Sequence, residues 1–523
     1  MRAALLASLC VDSRLVGGEM TTVTSRLQRH VLLALAWLAI FILAPAISMA
    51  SAHITIINSN QTGVGLNDPT PATPVGGNPG TTIGEQRLNA LEYAAGLWAA
   101  LLDSSVEIRI QASFDALTCT ASSAVLGEGS PAHILMDFPN APLAGTWYPA
   151  ALASRIAGVD LIATAQSHIR LHFNSGIGTT GCLEGAQWYY GFDNNHGDRL
   201  DLVTIFLHEA GHGLGFVTLV DPTSGAEFLG QPDVFEAHIL DTTSNKHWID
   251  MTDAERKVSA VNTGRVLWDG LAVQAAVPST LEGLPLLTVT APAAIAGDYS
   301  LGTASFGGAL SADGLIGSLV AASDPADAAG PSSTDACETL TNASEVNGRV
   351  ALVDRGTCTF VTKARNAQAA GATAMVVVNN VADTSPLAIA GEDPTITIPV
   401  VSVTQADGSV IRASLTSGVT VDLRMNPRRL AGAGSEDRMR LFAPNPVQSG
   451  SSISHWDTSA RPDLLMEPDI SGDLPHGVDL TLPLLRDIGW KSEAIPQEAP
   501  RLRIFELDLH LHPPTRALAP RHS

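Results

Sequence analysis

At 523 residues the chain exceeds one typical domain, and 45% hydrophobic against 16% charged residues supplies core material for two or three. A net charge of −22 with a pI near 5.0, and no basic cluster, argues against nucleic acid and anionic membrane surfaces as partners and for a soluble acidic surface.

The N-terminus reads as an address. Arg26-Leu-Gln-Arg29 precedes an apolar run from Val31 to Ile47, and Ala50-Ser-Ala52 supplies a small-residue cleavage pattern. Residues 1–52 are therefore expected to be a signal peptide, with Met20 as an alternative start. The destination is secreted, extracellular or periplasmic, with no stable membrane insertion after cleavage. A transmembrane anchor is the competing reading of the apolar run, and the Ala-x-Ala site favours cleavage over it.

Next in order, His53-Ile-Thr-Ile-Ile-Asn reads as a strand, Gly84 to Leu102 as an amphipathic helix, and Val106-Glu-Ile-Arg-Ile-Gln-Ala as a second strand. The Pro- and Gly-rich stretch from Asp68 to Gly80 is the loop between the first strand and the helix. Ser167-His-Ile-Arg-Leu-His-Phe-Asn reads as another strand, with His168, Arg170 and His172 on a polar face and Ile169, Leu171 and Phe173 opposite. The two histidines have metal-pair spacing, but the cation between them and the lack of a completing Glu or Cys argue against a site there. Asp193-Asn-Asn-His-Gly-Asp198 is a turn, because its Gly is misplaced for a calcium loop.

Leu207-His-Glu-Ala-Gly-His-Gly-Leu-Gly-Phe216 is the one segment whose spacing specifies a chemistry. On a helix, His208 and His212 lie one turn apart on one face and can hold one ion, while Glu209 points toward a water bound to it. Zinc is the expected cofactor, since it prefers imidazole nitrogen and lowers the pKa of its bound water to about 7. Acidic residues at Asp198 and Asp201 suit the helix start. Gly211 and Gly213 suggest close approach of another backbone or a substrate, and Gly215 can end the helix with positive φ.

From about Ala291 the composition shifts to Ala, Gly, Val and Ser, and Gly348 to Asn380 has a strand-turn-helix-strand pattern. Around Asp354-Arg-Gly-Thr-Cys-Thr-Phe the sequence resembles the protease-associated (PA) domain, over roughly 285–425. The resemblance implies a smaller α/β domain without catalytic residues that influences substrate access or binding.

A catalytic zinc site needs a third protein ligand. The common metzincin pattern H-E-x-x-H-x-x-G-x-x-H would place it at position 218, which is Thr218 here. Asp221 and His238 are nearby candidates. Further on, Ser451-Ser-Ile-Ser-His-Trp and Leu464-Leu-Met-Glu-Pro468 resemble the leishmanolysin-like metzincins, whose third histidine and methionine turn fall in segments of this kind. The resemblance implies His455 as third ligand and Met466 as an apolar floor under the metal rather than a ligand. A core methionine beside a turn predicts the same burial for Met466. It also implies an α/β (α+β) metzincin-like catalytic domain, a mixed twisted sheet with an active-site helix, formed by residues 53–284 and 426–492 and interrupted by the PA domain.

Gly477 to Trp490 reads as a closing helix, and 493–523 as a tail. With Cys10 removed, Cys119, Cys182, Cys337 and Cys358 permit three pairings, of which sequence proximity and domain assignment favour Cys119 with Cys182 and Cys337 with Cys358. The expected function is a secreted zinc endopeptidase acting on protein or peptide substrates. A catalytically inactive peptide- or glycan-binding protein and a zinc hydrolase of other amides or esters are the alternatives, the former disfavoured by retention of Glu209.

Overall fold

The computed structural model describes residues 51–490, apart from 327–329, 383–384 and 473, together with two short strands at 503–506 and 515–518. Residues 1–50 of the expected export signal, Met20 among them, and most of the tail lie outside the described residues.

The predicted strand-helix-strand opening is present as β1 (Ile54–Asn58), α1 (Ile83–Leu101) and β2 (Ile108–Asp115). Thr82 caps α1 in a reciprocal box: its hydroxyl accepts from Glu85 N–H at 3.2 Å, and the Glu85 carboxylate accepts from Thr82 N–H. Three further strands follow, β3 (Ser123–Pro131), β4 (His133–Met136) and β5 (Ile169–Asn174). β1, β2 and β5 run parallel, and β3 pairs antiparallel with β5, with Gly127 opposite Phe173 and Gly129 opposite Leu171. The helix α2 (Leu202–Leu214), which carries both histidines and Glu209, packs across this sheet, and all 13 of its residues are buried. Asp201 caps its start by accepting from Val203 N–H at 2.9 Å, and Gly215 at φ 131° ends it. Trp98 of α1 donates its indole N–H to Leu207 O at 3.2 Å, tying the two helices together.

Between α2 and the C-terminal helix Thr481–Ile488, the insert forms a separate eight-stranded sheet. Its central strands Leu315–Ala321, Val350–Asp354, Ala374–Val378 and Val400–Val403 are parallel, the helix Phe360–Ala369 joining the second to the third and Gln405–Ala413 leading from the fourth to Thr420–Leu430. Alternating residues face two apolar clusters: Ala351 and Val353 enter one, Val350 and Leu352 the other. The insert enters and leaves through adjacent strands, Gly283–Ala291 and Thr420–Leu430, in which Gly283 pairs with Leu430. Disulfides join Cys119 to Cys182 and Cys337 to Cys358. The fold is thus mixed α/β, with the two apolar clusters of the insert separate from the large core of the histidine-bearing part.

Two expectations need adjustment. His168 is not on a polar strand face; it precedes β5, is fully buried, and accepts from Arg109 N–H at 3.1 Å while lying 3.3 Å from the Asp160 carboxylate. Burial, reinforced by the Arg109 charge, pulls its pKa down to about 4, so it is a neutral core imidazole. His172 keeps the expected half-exposed position, beside Asp115 at 2.8 Å. Gly211 and Gly213 accommodate side chains rather than backbone: a Cβ would come 2.9 Å from Met466 Sδ at the first and 2.3 Å from Ile169 at the second. Within the tail, 503–506 pairs with β4 and 515–518 pairs with β3, opposite residues 123–127.

No helix among the described residues is long and apolar enough to cross a membrane.

Candidate metal centre

α2 places His208 and His212 one turn apart, with ring centroids 4.9 Å from each other. The segment following Leu441 brings His455 to them, although 247 residues separate it from His208. Two backbone bonds aim it: Phe442 N–H donates to His455 O at 2.9 Å and Ile453 N–H to Phe442 O at 2.7 Å. Beside it, Trp456 packs edge-on against Phe216, the residue that leaves α2, with centroids 4.8 Å apart.

The hydrogen bonds determine which nitrogen of each ring is free. His208 Nδ1 bonds Leu465 O at 2.6 Å, His212 Nδ1 bonds Phe216 O at 2.8 Å, and His455 Nδ1 bonds Ser451 O at 2.9 Å. A carbonyl oxygen only accepts, so each Nδ1 carries the proton. The three Nε2 lone pairs then converge, with His208 Nε2 3.2 Å from that of His212 and 3.3 Å from that of His455. Protonation does not resolve the crowding at neutral pH. Burial pulls His212 down to about 4, and burial with the neighbouring imidazoles holds His208 and His455 well below the ordinary histidine value. A buried set of three imidazole nitrogens fits a borderline-soft divalent ion.

Glu209, next to His208 in the chain, is buried against β3. A Cβ on Gly127 would lie 2.9 Å from its Oε1, and one on Gly129 would lie 2.2 Å from its carbonyl oxygen. Met466 is fully buried under α2 at Gly211, and its carbonyl accepts from Trp456 N–H at 2.8 Å. Asp221 and His238 are not in the cluster. Asp221 forms a turn with Thr223 and Ser224, and His238 packs on Trp268 with ring centroids 5.0 Å apart. Thr218 joins the two halves of the site: its N–H donates to Ser454 Oγ at 3.2 Å and its hydroxyl to Asp233 at 2.8 Å. A cavity of about 210 Å³ opens between the stretch from Thr218 to Thr223 and the serines flanking His455, Ser452 and Ser454.

The two β3 glycines and the three carbonyl acceptors were missed by sequence reasoning. The glycines left a signal, since a Gly-x-Gly inside a strand marks close approach of another group. The carbonyls left none.

Residues 315–411 match the PA domain family, so the insert contains a PA domain. Signal peptide peptidase-like 2 of Arabidopsis thaliana is 34% identical over 130 residues, 24% of this chain and 23% of that protein. The probable lipoprotein aminopeptidase LpqL of Mycobacterium tuberculosis is 36% identical over 116 residues, 22% of this chain and 20% of that protein. The chain therefore spans about a quarter or less of the length of these curated relatives. Among solved structures, a zinc aminopeptidase from Bacillus subtilis is similar at 24% identity, covering 29% of this chain and 36% of that chain, with a TM-score of 0.21.

Proposed function

We propose that the chain is a secreted zinc-dependent endopeptidase of the leishmanolysin-like metzincin kind, with a PA domain inserted into its catalytic unit. One observation carries the reading: each histidine of the cluster commits its Nδ1–H to a carbonyl, which leaves three buried Nε2 lone pairs facing one another. A bound cation relieves that arrangement for all three lone pairs without protonating a buried ring. His208, His212 and His455 would hold the zinc ion. Zinc bound there supplies Lewis acidity, lowering the pKa of a water to about 7 and polarising a scissile carbonyl.

The remaining chemistry belongs to the chain. Glu209 accepts a proton from the attacking water and passes it to the leaving amine. Its position on a buried helix, pressed against β3, restricts the carboxylate to the side of α2 that faces that strand. The cavity between Thr218 and Ser454 receives a substrate side chain. Two disulfides support an oxidising destination. The curated relatives carry different names over a stretch of PA-domain length, so the zinc-peptidase reading rests on the histidine cluster and Glu209 rather than on them.

Metal analysis beside a casein-cleavage assay, with and without chelator, tests the reading. The expected result is zinc in both wild type and Glu209→Gln, chelator-sensitive cleavage by the wild type, and a loss of roughly 10²- to 10⁴-fold in the variant. Wild-type rates from Glu209→Gln, or cleavage indifferent to chelator, overturn it.

A further inference from the structure

The PA domain holds a second convergence of ligand-type side chains. Asp324, Asp335 and Glu338 each bring a carboxylate oxygen within 4.8 Å of the others. Asp324 is 3% exposed and Asp335 0%. Each aspartate uses one oxygen locally: Asp324 Oδ2 accepts from Glu338 N–H at 3.2 Å, and Asp335 Oδ1 accepts from Cys337 N–H at 3.2 Å. The other oxygens, Asp324 Oδ1 and Asp335 Oδ2, are buried with no hydrogen-bond partner. Two buried aspartates of one cluster, each with an unpartnered oxygen, are unfavourable through lost hydration and through the repulsion of like charges.

The buried ammonium of Lys363 is attracted by Asp335 and Asp324 but hydrogen-bonds neither of these two oxygens. Its Nζ bonds the backbone oxygen of Asp335 at 2.5 Å and lies 3.3 Å from Cys337 Sγ. One ammonium carries one positive charge, so Lys363 cannot neutralise both Asp324 and Asp335. Asp354, the next acid along, is paired with Arg412. Opposite Asp335, the chain comes so close at Gly356 that a Cβ there would lie 2.5 Å from Oδ2, so only a glycine fits against that carboxylate.

We propose that Asp324, Asp335 and Glu338 form a calcium site in the PA domain that fastens the segment between the strands Leu315–Ala321 and Val350–Asp354. The donors are all hard oxygens, since Cys337 is tied up in its disulfide, and no imidazole joins them. They come from an irregular connection, which suits the flexible coordination of Ca²⁺ better than the strict octahedron and retained waters of Mg²⁺. The site is independent of the histidine cluster and of the function proposed for it.

The test uses the full chain, stripped with chelator, reloaded with zinc, and titrated calorimetrically with CaCl₂, with MgCl₂ as the comparison. One calcium ion per chain is expected, with a Kd on the order of 10⁻⁴–10⁻³ M as in extracellular modules. Asp324→Asn and Asp335→Asn should each weaken uptake by about tenfold or more, because each removes a charged ligand. His455→Ala should leave uptake unchanged. Thermal unfolding provides a second readout: without calcium both Asn variants should equal or exceed the wild type, whose Tm alone rises when calcium is added. Absence of uptake at millimolar calcium, or uptake undiminished in both Asn variants, overturns the site. Asn variants destabilised equally with and without calcium overturn it as well, because the cluster is then the counter-charge of Lys363. Equal affinity for Mg²⁺ overturns the assignment to calcium.

Discussion

Gly129 lies directly against the backbone of Glu209: a Cβ at position 129 would sit 2.2 Å from the Glu209 carbonyl oxygen and 2.8 Å from its Cα. The neighbouring in-facing position, Gly127, approaches the carboxylate end of the same side chain. Sheet and helix therefore meet where the proposed general base is carried, and the separation between them is set by hydrogen in place of a side chain.

Substitution at these two positions should separate stability from catalysis. Gly129→Ala meets backbone that cannot step aside, so it should cost about 1–3 kcal/mol in denaturant unfolding. Gly127→Ala meets the movable end of a side chain, so it should fold with a smaller loss, keep zinc and cleave casein more slowly through displacement of the Glu209 carboxylate. Equal effects of the two on stability, with cleavage by Gly127→Ala unchanged, would contradict this division.

The ligand assignment is checked by metal content. His455→Ala leaves two imidazoles, too few to hold zinc against a competing chelator, whereas Asp221→Ala and His238→Ala should retain one equivalent. Loss of zinc from Asp221→Ala with retention by His455→Ala would refute the assignment.

Glu467, next to Met466, provides a pH dependence with a definite sign. Burial, aided by Asp463, Asp457 and Asp479, raises its pKa from 4.5 to about 8 in the folded chain. Between those values the folded state holds a proton that the unfolded state has released. The stability this group contributes is thus fully present below its unfolded pKa and lost as pH rises through 8, at up to about 1.4 kcal/mol per pH unit. Glu467→Gln, neutral at every pH, should unfold with a flatter Tm profile between pH 5 and 8 than the wild type. Parallel profiles would show that Glu467 is ionised in the folded protein.

The insert should be removable. Because Gly283 pairs with Leu430, the chain leaves and re-enters the histidine-bearing domain at neighbouring points, and a short Gly/Ser linker in place of 285–425 can span them. The expected product is a folded, zinc-loaded protein that hydrolyses small peptides at near the parent rate and protein substrates more slowly. An insoluble or metal-free product would make the segment part of the catalytic core; unchanged rates on every substrate would deprive it of a role in access.

What the sequence determined by itself is periodic or local. The four-residue spacing of His208 and His212 places them on one helix face, Asp201 and Gly215 mark the ends of that helix, and alternation in 169–173 separates core from half-exposed residues, because each of these follows from the geometry of a single element. His455 was reachable from sequence only through the resemblance of its segment to a known motif. Its convergence with the pair on α2 depends on the chain on either side of a whole inserted domain returning to one core. Tertiary structure alone decided the rest: that Leu465, Phe216 and Ser451 take the Nδ1 protons and turn three lone pairs toward one point, that His168 is a core imidazole, and that three acids from an irregular connection meet inside the PA domain. None of these has a spacing to read, because hydrogen-bond partners and buried charges are chosen by which surfaces pack together, and that choice is made by the whole chain at once.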